Sequence, residues 1–124
     1  MAELHVELVS VEREIWRGEA TSVTARTTEG EIGILPGHAP LLGQLAEGFT
    51  VEIVQAGGRV VAAVHGGFLS VTDNGVTILA EIAELSGDID QTRAQASLER
   101  SRTENDDAGV RRAEARLRAV GQPV

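Results

Sequence analysis

The side chains of this chain that could do chemistry are three histidines, a scatter of serines, and a group of carboxylates and arginines around residue 90. His5, His38 and His65 fall in separate stretches with no His-x-x-x-His spacing, so they do not suggest a metal site. The serines have no G-x-S-x-G elbow around them, and no G-x-x-x-x-G-K-[S/T] loop is present to cradle phosphates. Without a nucleophile paired to a base, the chain is not expected to be an enzyme. One constellation stands apart: Ile89-Asp90-x-x-Arg93-Ala94, with Glu84 before it and Arg100 after. Arg93 and Arg100 are seven residues apart and share a helix face, giving two cations suited to a polyphosphate. Glu84 or Asp90 could accept from the amino or hydroxyl groups of a nucleotide. The plainer alternative is that Asp90 and Arg93 form an ordinary i,i+3 surface pair.

A second stretch could serve recognition rather than catalysis. Gly30-Glu31-Ile32-Gly33-Ile34-Leu35-Pro36-Gly37-His38-Ala39-Pro40-Leu41-Leu42 mixes three glycines and two prolines with aliphatic residues. That composition reads as a shaped loop presenting a surface. His38 at its tip has no neighbouring carboxylate or nucleophile, so an interface contact is expected of it rather than base catalysis.

The elements that must position these residues follow from periodicity. Leu4, Val6 and Leu8 alternate with polar residues, the signature of a half-buried strand. Trp16 is expected to anchor the core just before a turn at Gly18. Residues 20–28 form a further strand, and Phe49, Val51 and Ile53 another that ends in a turn at Gly57-Gly58. After residues 59–65, the Gly66-Gly67 pair marks a bulge or corner. Asn74-Gly75 predicts a hairpin with a type I′ turn, and 76–82 the closing strand. Beyond Ser86-Gly87 the β-branched residues nearly vanish. Asp88 and Gln91 are spaced as an N-cap and its capping-box partner, and Val110 to Ala119 can form a second helix. The expected fold is mainly β: an N-terminal β-sandwich or barrel over 1–85, then an α-helical hairpin over 88–120. Ile89, Leu98, Val110, Leu117 and Val120 are the hairpin's only large aliphatics, so it should dock weakly.

Composition sets the outer bounds. A formal charge of -8 offers no basic excess for nucleic acid. The absence of cysteine excludes disulfides and thiolate metal sites. No apolar run approaches the ~20 residues of a membrane span, and the alternating N-terminus does not look like a secretion signal.

GEIGILPGHAPLL, followed by Gly48 and by Gly66-Gly67-Phe68, resembles the N-terminal domain of the ε subunit of the bacterial rotary ATP synthase, from about Leu4 to about Ala94. The resemblance implies a non-catalytic central-stalk subunit at the cytoplasmic face of the plasma membrane, needing no cofactor. It implies that Glu31 meets the ring of c subunits, that His38, Leu41 and Leu42 belong to the same surface facing the γ subunit, and that the hairpin regulates hydrolysis by reaching toward the α and β subunits. Ile89-Asp90-x-x-Arg93-Ala94 resembles the ATP-binding signature of such subunits, with ATP as a regulatory ligand and Glu84 and Arg100 completing the site. The chain departs from that pattern at Ala119, where an arginine is expected, leaving Arg112, Arg116 or Arg118 as substitutes. The rival readings are a nucleotide-sensing module acting outside the synthase and, less favoured, a small β-barrel hydrolase or isomerase.

Overall fold

The computed structural model describes residues 3–121. Eight strands come first: β1 (Leu4–Ser10), β2 (Glu14–Ala20), β3 (Ser22–Thr27), β4 (Gly30–Ile34), β5 (Leu41–Gln44), β6 (Phe49–Gln55), β7 (Gly58–Thr72) and β8 (Gly75–Leu85). They form one sheet in the order β2-β1-β8-β7-β6-β3-β4, with β5 added on β7. All pairs are antiparallel except β1 with β8, which run parallel from Val6 opposite Val76 to Ser10 opposite Ala80. The sheet folds over on itself because β7 is long enough to serve two layers. Its first half pairs with β6, from Gln55 opposite Gly58 to Phe49 opposite Val64, and its second half with β5. A bridge between Thr27 and Leu45 ties β5 back to the end of β3. Strict alternation does the packing. Leu4, Val6 and Leu8 point inward to meet Ile34, Ile53, Leu69 and Ile78, while His5 and Glu7 face out.

The expected double-glycine corner is present. Gly66 and Gly67 both take positive φ (74° and 118°) where β7 passes from its β6 partner to its β5 partner, and a side chain on Gly67 would run into the Leu79 carbonyl. Three local expectations are corrected. The 30–42 run is mostly strand: only Leu35–Pro40 lie outside β4 and β5, because Ile32 and Ile34 keep the period of two and Ile34 is fully buried. Gly18 is mid-strand opposite Val6 rather than in a turn. Its missing side chain leaves room for the Trp16 ring, which would lie 2.7 Å from an added Cβ; the ring itself packs on the core as expected. The 72–75 hairpin has Asp73 and Asn74 at its centre, and neither takes the positive φ that a type I′ turn requires; Gly75 does so instead, at 137°, as the first residue of β8.

A 3-10 turn (Ser86–Asp88) then leads to α1 (Gln91–Thr103) and α2 (Asp107–Ala119). Asp90, not Asp88, caps α1: its Oδ1 accepts from the Arg93 backbone N–H at 3.1 Å, because the 3-10 turn has already used residue 88. Asp106 caps α2 in the same way through Gly109. The second helix lies between two surfaces. On one side Ala113 and Leu117 meet Ala94 and Leu98 of α1; on the other, Ala115 and Ala119 meet Ala63 of β7, with Val61 and Ile89 alongside. The hairpin is thus folded onto the outer face of β6 and β7, through a seam made chiefly of alanines.

Candidate functional site

Where β8 ends, the 3-10 turn, α1 and α2 enclose a cleft of about 210 Å³, lined by Glu84, Asp88, Ile89, Asp90, Arg93, Ala94, Ser97 and Arg116. Its centre is Glu84. The Arg116 Nε donates to Glu84 Oε1 at 2.6 Å, and the His65 Nε2 donates to the same oxygen at 3.3 Å. The histidine hydrogen bond, reinforced by the Arg116 charge against an opposing contribution from burial, lowers the Glu84 carboxyl to about 2. Glu84 is therefore an anion that joins β7, β8 and α2. Five of the six residues expected at a nucleotide site, Glu84, Ile89, Asp90, Arg93 and Ala94, come together here. Arg100 does not line the cleft; it lies two turns along α1 and donates to Ser97 Oγ at 3.2 Å. Asp90 spends one oxygen on its cap, and Glu84 is held by two donors. Clefts that bury a drug-sized ligand measure roughly 300–1,000 Å³. This one is smaller.

In the sequence His65 stands apart from the other histidines. It is buried, at 3% exposure, and its Nδ1 has no partner. Its role depends on register: Glu84 sits opposite Ala63, so His65 is the diagonal neighbour on the same face. Only the β7–β8 pairing, nineteen residues apart, reveals this. Of Arg112, Arg116 and Arg118, it is Arg116 that reaches the cleft.

The residues of the other expected site lie elsewhere. Glu31 is exposed on β4, and His38 is half-buried in the turn, its Nδ1 donating to the Ala39 carbonyl at 2.7 Å. Leu41 and Leu42 part company: Leu41 turns in against the core, while Leu42 is 74% exposed. Leu35, 63% exposed, adds to the apolar surface of this turn. Among the described residues no group of three or more histidine, aspartate or glutamate side chains is arranged to hold a metal, and no helix is long and apolar enough to cross a membrane.

The fold is a β-sandwich with exposed aliphatics at one turn and a helical hairpin on one face. A family model described as ATP synthase, Delta/Epsilon chain, beta-sandwich domain matches residues 3–86. The chain belongs to that family. It is 58% identical over 119 residues to the ATP synthase epsilon chain of Streptomyces coelicolor, covering 96% of each chain. It is also 59% identical over 121 residues to that of Rhodococcus opacus, covering 97% of this chain and 98% of the other. Among solved structures it resembles a chain of the Euglena gracilis mitochondrial ATP synthase, in an assembly of OSCP, F1 and c-ring, with a TM-score of 0.74 and 30% identity over 94% of this chain and 76% of that one.

Proposed function

We propose that the chain couples the rotor of a membrane-bound ATP synthase, its sandwich seated on the γ subunit and the c ring at the cytoplasmic face of the plasma membrane, with Glu31, His38, Leu41 and Leu42 at that junction. The observation that carries this reading is the β4–β5 turn, where Leu35 and Leu42 stand exposed on a rigid scaffold. A free nucleotide sensor has no use for such a surface, which favours the rotor over the rival. The hairpin is the regulatory part, folded here and able to extend toward the α and β subunits, with ATP in the cleft favouring the folded state. Arg93 and Arg116 supply the cations, and linkage limits the effect to about 2.7 kcal/mol at a hundredfold excess over Kd.

Two measurements test this. Replacing Leu42 with Ser, or His38 with Asp, leaves the sandwich folded and weakens capture of purified γ; undiminished capture by a folded variant sinks the junction. Titrating ATP against the isolated chain slows hydrogen exchange over residues 88–120, and Arg93→Ala abolishes the effect. No change at millimolar ATP removes the nucleotide from the account and leaves the junction untouched.

A further inference from the structure

The cleft is not the only place where α2 is held. Arg111 and Arg118, two turns apart on this helix, both reach the three residues Glu47-Gly48-Phe49 that lead into β6. Arg111 Nε donates to Glu47 Oε2 at 3.1 Å. Arg118 Nη1 donates to the Gly48 carbonyl, and its guanidinium carbon lies 4.8 Å from the centre of the Phe49 ring. Arg26 of β3 stacks on the same ring at 5.0 Å. Gly48 is buried with φ at +85°, and a Cβ there would lie 3.0 Å from Arg111 Cβ and 3.1 Å from the Arg111 carbonyl oxygen. The helix backbone rests directly on the glycine.

We propose that Glu47-Gly48-Phe49 is a latch that sets how firmly the hairpin stays folded, separate from the Glu84 cleft. Each residue contributes a different contact: a carboxylate, a bare backbone and an aromatic face. The seam beside it is built on Ala63, Ala115 and Ala119, which bury little apolar area each, so directional contacts decide the docked state. Their ranking follows from exposure. The Arg111–Glu47 pair is close to half exposed on both sides and contributes least. Arg118 makes a charge-assisted hydrogen bond and a cation–π contact with one side chain, and contributes most. Arg26 stands opposite Glu31 in the β3–β4 register, so the Phe49 ring also links the latch to the strand carrying Glu31.

Helices as short as α2 are marginal in water once undocked, so amide exchange along residues 107–119 reports docking. The test is hydrogen exchange on the full chain with neither nucleotide nor partner present, so its result is independent of whether the cleft takes ATP. Arg118→Ala speeds exchange in α2 about tenfold, the equivalent of about 1.4 kcal/mol, while β1, β7 and β8 stay protected. Gly48→Ala does at least as much, through a left-handed φ and a blocked approach, by about tenfold or more. Phe49→Leu, which keeps apolar bulk and loses the ring, gives about threefold. Glu47→Gln stays within about twofold. If Gly48→Ala also loosens the sheet, Arg118→Ala decides, because its side chain belongs to the hairpin. Exchange in α2 of Arg118→Ala within twofold of the unaltered chain overturns the latch.

Discussion

The interior of the sandwich and the seam beneath α2 are both buried, yet they are built from different residues. Between the sheet layers Leu8, Ile34, Ile53, Leu69 and Ile78 are wholly enclosed, each interdigitating with branched neighbours. Under α2 the enclosed side chains are Ala63, Ala115 and Ala119, flanked by half-buried Val61 and Ile89 and by polar contacts: Glu84 with Arg116, Glu47 with Arg111, the Gly48 carbonyl with Arg118. Large aliphatic burial scales with area and fixes a layer permanently. Alanines permit a close, flat fit but contribute little each, so the seam is set by a few contacts that water can replace. One chain thus holds a joint of large aliphatics and a joint of alanines and polar contacts side by side.

The sharpest way to break this contrast is to hollow out the aliphatic joint. Ile53→Ala removes a fully enclosed side chain and costs about 2–5 kcal/mol, read as a lower urea midpoint at unchanged slope for the whole domain. A loss under about 1 kcal/mol would mean that the sheet layers are not tightly packed. Overfilling the seam comes next. Ala115→Leu forces bulk between α2 and β7 at about 1–3 kcal/mol, lifting the hairpin while the sheet amides keep their protection. Loss of protection in both regions together would show that they are one cooperative unit.

Acid gives a smaller effect with a defined direction. Because the folded Glu84 carboxyl sits at about 2, below its ordinary 4.5, its contribution to docking is complete above 4.5 and is lost as pH falls from there through about 2. Amide chemical shifts of α2 in the unaltered chain and in Glu84→Gln should therefore differ at neutral pH and converge toward pH 2; a constant difference across that range removes Glu84 from the docking account. The smallest change is expected from cutting the chain after Leu85, which leaves the branched core whole: the remaining sandwich melts in one cooperative transition. An unfolded fragment would refute the division at Ser86.

Much of the aliphatic joint was legible in the sequence because period-two alternation is a local signal, and the shift to alanine, arginine and glutamine after Gly87 marked the hairpin. In the 30–42 run the glycines and prolines mask the alternation of Ile32 and Ile34, which tertiary pairing with β3 makes decisive. The cleft was partly legible: Asp90, Arg93 and Ala94 are neighbours in sequence, and Glu84 is close by. Its other half was not. His65 and Arg116 reach Glu84 across 19 and 32 residues, through strand register and helix placement that no local pattern encodes. Arg100 failed for a related reason, since the turn of α1 on which it lies runs past the cleft.

The parallel pairing of β1 with β8 bears on the order in which the chain is made. β1 leaves the ribosome well before β8, so its edge toward β8 has no partner until Val76 to Ala80 have left the tunnel. The sandwich is therefore closed by its last strand, after every other strand is available, a topology that delays folding until synthesis of the domain is nearly complete. The helices come later still and meet a finished surface. A nascent chain stalled with β8 outside the tunnel and the helices still inside it should resist protease, whereas one stalled with β8 still inside should be cut readily.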